Sequence, residues 1–335
     1  MSNKKYNQKI VTIGGGTGQF HLLAGLRELN ENESITAVAG TWDSGGSSGR
    51  LRTELGVLPP GDIRRCILAL MPGEKQRMVA QTLFDDRLED MTGPMKGHSF
   101  GNLLTARLEN IYKGQDRGID AERELFNVKA NVMPVSITHV DLIAETSKGN
   151  KIIGETNIDT RVKDKDYDKS DRIVRIYFDT RADANLEVIK QIEEADKIVF
   201  SAGDLYTSIL PHLLVDGVRE VISRSKAKLI YILNLATKPG ETDNYKASEF
   251  LKNFLFYLDI PGRLDYIVAN DNHLEKEILD IYKGEGQNLV EVDEEKIKKM
   301  EPHAKIVKKP VSTYLRKEHL LRHNSKKLAL AILEL

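Results

Sequence analysis

Near the start of the chain, Lys9-Ile10-Val11-Thr12-Ile13 forms a short apolar run that leads straight into glycines. An unbroken run of this length reads as a strand buried on both faces. Leu22, Leu23, Leu26 and Leu29 then recur at helical spacing, and residues 35–39 are apolar again. Strand, Gly-rich turn, helix and strand make the opening unit of a doubly wound parallel sheet. Residues 132–135, 197–200, 228–233 and 265–268 are further strand candidates, with helical patterns between several of them.

From about 141 to 179 the pattern changes. Short β-like runs at 142–145, 151–154 and 172–178 surround a charged stretch at 159–171, which reads as a β-rich insertion at one edge of the core. No repeat, low-complexity tract or Pro/Gly/Ser linker divides the chain. The pattern predicts one composite α/β domain over residues 1–335, with a Rossmann-like, mostly parallel sheet and an insertion at about 141–179.

Composition narrows the partners. The net charge is −1, from 49 basic and 50 acidic side chains, which gives no long-range field for a nucleic-acid backbone but allows a local basic pocket. No apolar run is long enough for a membrane span, and Met1 to Lys9 is too polar for a signal peptide. The single cysteine, Cys66, lies in an apolar helical run and reads as a core residue; a reducing cytoplasm is the expected compartment.

Candidate chemistry concentrates in glycine-rich turns. Gly14-Gly15-Gly16-Thr17-Gly18 follows the first strand, where Gly15, Gly16, Thr17 and Gly18 can bring backbone N–H groups and a helix N-terminus to an anion. Gln19 stands where a dinucleotide fingerprint wants glycine, and no Gly-Lys-Ser/Thr follows for a P-loop. Trp42 to Arg50 follows the second strand as a Gly/Ser loop. There Asp43 could hold ribose hydroxyls, while Gly46, Ser47, Ser48 and Arg50 offer donors and a fixed cation for a phosphate.

In Pro59-Pro60-Gly61-Asp62-Ile63-Arg64-Arg65, Asp62 is positioned to cap the next helix. Arg64 and Arg65 oppose that helix's dipole, a conflict that a bound anion or an acidic partner such as Asp62 or Glu54 would relieve. His98, Ser99 and Asn102 precede another helix and could serve a ligand or cap the helix. Gly203, Asp204, Tyr206, Thr207 and Ser208 follow the strand ending at Phe200; Asn234 and Thr237 follow the one ending at Leu233. Ligands of open parallel sheets bind beyond the carboxyl ends of strands. Four polar, Gly-rich strand ends weigh more together than any one alone.

Together these runs resemble the gluconeogenesis factor (YvcK-like) family within the wider CofD-like superfamily. The matching pieces are Gly14 to Gly18, Gly45-Gly46-Ser47-Ser48-Gly49-Arg50-Leu51-Arg52, Pro59 to Arg64, Gly97-His98-Ser99-Phe100-Gly101-Asn102-Leu103, Gly203 to Ser208, Gly240-Glu241-Thr242-Asp243 and Leu321-Arg322-His323-Asn324. They occur in family order over nearly the whole chain.

The resemblance implies a CofD-like fold, a cytoplasmic protein and a UDP-sugar ligand of the UDP-N-acetylglucosamine type. It also implies a role in cell shape and peptidoglycan synthesis, read out by an unknown protein partner, and a homodimer by analogy. No cofactor is required on this reading. By position it implies Tyr282 and Arg322 as sugar-nucleotide contacts: Arg322 could clamp a diphosphate or flank a helix, and Tyr282 could stack or pack.

The related 2-phospho-L-lactate transferases imply a Mg²⁺-dependent alternative on a guanosine diphosphate carrier, with Asp43, Asp62 and Asp243 as the acids to nominate. Asp43 is then the metal candidate. However, the family commonly has two adjacent acids where this chain has Asp43 and Ser44, which weakens a Mg²⁺ site. The family often has Gly-Pro before Gly203; here Ser201-Ala202 stands instead. A dinucleotide-dependent oxidoreductase is a third reading, disfavoured by Gln19.

Overall fold

A computed structural model describes residues 5–335; the polar start of the chain, Met1 to Lys4, lies outside the described residues. The strands follow in the order β1 (Ile10–Gly14), β2 (Ile35–Ala39), β3 (Asn131–Pro134), β4 (Leu142–Thr146), β5 (Lys151–Ile153), β6 (Ile173–Phe178), β7 (Lys197–Phe200), β8 (Lys228–Ile232), β9 (Tyr266–Asn270), β10 (Lys305–Lys309), β11 (Ser312–Leu315) and β12 (Leu320–His323). Seven of them form one parallel sheet in the order β10-β9-β8-β7-β1-β2-β3.

Both faces of that sheet are buried, which is why its central strands read as unbroken apolar runs. Val11, Ile13, Ile198, Phe200, Leu229 and Tyr231 enter one core, with the helices Val218–Arg224 and Ala247–Leu258. Ile10, Ala37, Val199, Ile230 and Val268 enter the other, with α1 (Gly16–Leu29), α2 (Gly46–Leu55) lying outside it, α3 (Gly61–Leu70) inside it, and the helix Ser325–Leu333. The alternation is the period-two rule of a strand sandwiched between layers. Cys66 is buried in this second core, where burial pushes its thiol up.

The insertion is a separate antiparallel sheet, ordered β5-β4-β6, and its Leu142, Ala144, Ile173 and Ile176 join the first core. Three helices complete the framework of the site: α4 (Glu74–Asp85), α5 (Phe100–Tyr112) and α6 (Gln115–Leu125). A short α7 (Glu155–Asp159) lies within the insertion, between β5 and β6. β11 and β12 pair as a hairpin. No helix among the described residues is long and apolar enough to cross a membrane.

Two expectations change. Trp42 to Arg50 is not a loop throughout: from Gly46 onward it is α2, which the sequence hides because only Leu51 among its apolar residues is buried. Asp62 does not cap α3, whose N-cap is Pro60; its Oδ1 instead accepts from the Gly16 N–H, 3.0 Å away.

Candidate functional site

The strand order reverses between β1 and β7: one half of the sheet runs outward to β2 and β3, the other to β8, β9 and β10. The turns leaving these two neighbours must diverge to opposite sides, and a crevice opens between them. Its floor is the N-terminus of α1. A Cβ at Gly18 would run into the Ala202 carbonyl, and one at Gly15 into the Asp62 carboxylate, so close approach requires glycine at both. Its N-cap, Gly15, has no side chain to cap it, no acid lies in its first turn, and from outside the helix Asp62 takes the Gly16 N–H. Apart from Gly16, its first N–H groups therefore remain available to an anion.

Two lobes share this floor, because Gly16, Thr17, Asp204 and Ser208 line both. The first, about 360 Å³, runs over Gly15 to Gly18, Gly203, Asn234 and Thr237 to Tyr282 and Arg322. Its basic side chains are His21, Lys238, Arg322 and His323, with Lys238 and Arg322 as the cations. Burial pushes His21 down, assisted by the Arg322 charge, and holds His323 down at about 3. The His323 Nε2 is buried without a partner. Tyr282 is anchored through its hydroxyl, which accepts from the Leu321 N–H at 2.6 Å and so ties the helix Lys276–Gly284 to β12.

The second lobe, about 380 Å³, is lined by Asp43, Gly46, Ser47, Ser48, Asp62 and Asn102, with Glu155, Thr156 and Asp159 arriving from α7. Arg64, Arg65 and Arg87 line it too, and Arg65 pairs with Asp62 at 3.6 Å. Burial, with Asp43 nearby, pushes the Glu155 carboxyl up to about 7. Burial also raises Asp62, and holds Asp204 well above the usual carboxylate range with help from Glu241 and Glu155. Two buried polar atoms of this lining have no partner, the Asn102 Oδ1 and the Arg64 Nε.

The family profile described as 2-phospho-L-lactate transferase CofD matches residues 10–311. A relative from Thermotoga maritima is 41% identical over 96% of this chain and 97% of its own length. The gluconeogenesis factors of Halalkalibacterium halodurans and Bacillus subtilis are 37% and 35% identical, over 99% and 98% of this chain and 97% and 98% of their own. The chain belongs to the CofD family, in its gluconeogenesis factor branch. A crystal structure of a Bacillus halodurans protein superposes with a TM-score of 0.87 at 35% identity, covering 98% of this chain and 99% of that one. The CofD-like, Rossmann-like fold is thus shared over 98% of this chain.

Most of the residues singled out from the sequence converge on this CofD-family cleft; five do not line it. Arg50 is exposed and donates to the Lys96 carbonyl at 2.9 Å, because α2 turns it outward. His98 and Ser99 stand behind the second lobe: the His98 Nδ1 lies 3.0 Å from the Ser47 Oγ, and Ser99 caps α5. Tyr206 points into the core, its hydroxyl 2.9 Å from that of Tyr245. Asp243 accepts from the Gly240 N–H at 2.7 Å within its own turn. Arg64 does line the cleft, yet its Nη1 is held by the Phe84 carbonyl at 3.0 Å and by Asp85 at 3.2 Å.

Several lining residues were not singled out from the sequence, His21, Arg87, Glu155, Asp159, Lys238 and His323, whereas Arg65, read there as a cation awaiting an anion or an acid, does line the cleft. Glu155 and Asp159 sit inside the insertion, between β5 and β6, far in sequence from every glycine-rich turn, and carry no local signal. Lys238 had one, since it lies between Thr237 and the Gly240-Glu241-Thr242-Asp243 run. Gln19, read as a missing glycine, is a buried brace: its Nε2 donates to the Val38 carbonyl at 3.0 Å and to the Thr12 Oγ1 at 3.2 Å. A brace between β1 and β2 occupies the place where a dinucleotide's third glycine would let the helix pack closer.

Proposed function

We propose that this chain binds a nucleotide-linked sugar of the UDP-N-acetylglucosamine type across the two lobes. On this reading it is a cytoplasmic gluconeogenesis factor that reports the ligand to a protein partner governing cell shape and peptidoglycan synthesis. The observation that carries the reading is the shared floor: one helix N-terminus, with only its Gly16 N–H taken by Asp62, lies between a basic lobe and a polar, acid-lined one. The diphosphate rests over Thr17 and Gly18, where N–H groups and the helix dipole favour negative charge. The nucleoside extends past Asn234 and Thr237 toward Tyr282 and Arg322. Sugar hydroxyls then meet Asp43, Ser47 and Asn102, whose free Oδ1 accepts a hydroxyl proton.

The test is thermal unfolding with UDP-N-acetylglucosamine. A ligand that binds only the folded state at a hundred times its Kd stabilises by about 2.7 kcal/mol. A clear rise in Tm is expected; an unmoved Tm at millimolar ligand overturns the reading. A homodimer belongs to the same proposal and is checked by sedimentation velocity.

One observation favours the transferase alternative. Glu155, held near neutrality in the second lobe, is a carboxyl poised to give or take a proton. Phospholactate transfer from a guanosine diphosphate carrier, lost in Glu155→Gln, would move the assignment to that side of the family.

A further inference from the structure

The transferases of this family imply Mg²⁺, so the carboxylates of the cleft invite a test of fit. Among the described residues one group of three acids, Asp159, Asp204 and Glu241, brings an oxygen from each within 4.8 Å of the others. An ammonium already fills it. The Lys238 Nζ bonds Asp159, lies 2.7 Å from the Asp204 Oδ2 and 3.1 Å from the Glu241 Oε1. The ammonium donates hydrogen bonds to Asp159 and Asp204 and is ion-paired with Glu241. The placement is braced from behind. The Lys238 N–H donates to the Thr242 Oγ1 at 2.8 Å, and Glu241 accepts from the Tyr206 N–H at 3.2 Å and the Thr207 hydroxyl at 3.3 Å. Asp43 offers no second place. Its Oδ1 is engaged by the Gly45 N–H at 2.9 Å, and its neighbour Ser44 accepts from the Thr156 N–H at 3.1 Å. Mg²⁺ wants near-octahedral hard oxygen ligands free of a competing cation. These residues do not fit it.

We infer that Lys238 is the resident cation of this cleft, an ammonium standing where a divalent ion would otherwise neutralise the acids, so that a nucleoside diphosphate binds without metal. Three segments meet at this one nitrogen: the insertion through Asp159, the β7 turn through Asp204 and the β8 turn through Glu241. Asp204 lines both lobes and Lys238 lines the basic one, so the positive charge stands beside the floor offered to the diphosphate. Without it, three acids from three segments would meet beside that diphosphate with no cation among them.

The metal arm of this inference is independent of the nucleotide reading; the ligand arm rests on it. Mn²⁺ titrations followed by electron paramagnetic resonance are run on the full chain, on Lys238→Ala and Lys238→Gln, and on each combined with Asp159→Asn. The wild type should bind no Mn²⁺ at this place. The Lys238 variants should gain at least about tenfold in Mn²⁺ affinity, and Asp159→Asn should remove the gain. Wild-type stabilisation by UDP-N-acetylglucosamine should be equal in EDTA and in Mg²⁺. Wild-type Mn²⁺ binding that Asp159→Asn abolishes, Lys238 variants that fold but gain no Mn²⁺, or a ligand shift that vanishes in EDTA, each overturns the inference. Should neither Lys238 variant fold, the wild type with and without Asp159→Asn still decides. A nucleotide that shifts nothing in either buffer counts against the nucleotide reading and leaves the manganese result standing.

Discussion

The two lobes are built by opposite strategies. The basic lobe is made from turns at the carboxyl ends of β1, β7 and β8, closed by the hairpin that carries Arg322 and His323. Its cations are few and sit around a helix N-terminus. The second lobe borrows from the starts of α2, α3 and α5 and from the insertion, and sets acids against arginines. One lobe is a product of sheet topology; the other is assembled by helices and an added sheet. On the proposed function, the nucleotide end of the ligand belongs to the first and the sugar hydroxyls to the second.

The largest effect should come from the part the lobes share. Gly18→Ala places a methyl against the Ala202 carbonyl and is expected to cost about 3 kcal/mol of stability while removing nucleotide binding. Denaturant unfolding measures the first and calorimetric titration the second. A variant that retains full affinity would mean the floor is not where the phosphates sit.

Arg322→Ala tests the division of labour. Loss of a charged hydrogen-bond donor to phosphate is worth about 2 kcal/mol, or roughly thirtyfold in Kd, with the fold unchanged. A uridine monophosphate competitor should lose affinity in parallel. If Asn102→Ala weakens that monophosphate as much as Arg322→Ala does, the two lobes do not divide the ligand as proposed.

The lobes should also answer pH with opposite signs. His323 in the basic lobe is held at about 3, below its unfolded value of about 6.5. The unfolded chain therefore binds the extra proton between these values. The stability associated with the neutral ring is complete above pH 6.5 and is lost as pH falls toward 3, by about 1.4 kcal/mol per pH unit. Glu155 in the acid lobe is raised to about 7. Its contribution is complete below its unfolded value, near 4.5, and is lost as pH rises to 7. Urea unfolding against pH should show His323→Gln flattening the acid side and Glu155→Gln flattening the side approaching neutrality. Slopes that change together in both variants would break the contrast.

The smallest effect is expected at Arg50→Ala. Its guanidinium is exposed and bonded to the Lys96 carbonyl, away from the lining. Stability should move by less than about 0.5 kcal/mol, and nucleotide affinity not at all. A large loss of affinity would place the phosphate at the outer face of α2.

The difference between the lobes also explains how far each could be read in advance. β2 and β7 lie where their apolar runs predicted, and β1 within a residue or so, because burial on both faces leaves a continuous hydrophobic signal; the insertion strands, buried on one face at most, also lie within a residue or so of their short β-like runs. The glycines at 14–18 announced the basic lobe's floor for the same reason: close backbone approach tolerates no Cβ. β10 was missed, since Lys305, Lys308 and Lys309 are exposed on an edge strand and mask its period. α2 was missed because Gly-Ser-Ser-Gly-Arg has almost no apolar stripe; its start is held by Asp43 and by contacts to α5.

Sequence by itself determined the parallel sheet, the turn at its switch point and membership of the CofD family, because each depends on local patterns that burial or close packing imposes on neighbouring residues. Only the tertiary structure decided that Lys238 meets Asp159 and Asp204, that Arg50 and Asp243 stay outside the cleft, and that Glu155 comes into it. Those outcomes depend on through-space electrostatics between segments far apart in the chain. A charged side chain is equally at home in solvent or in such a cluster, so its own neighbours in sequence leave no mark of which it will be.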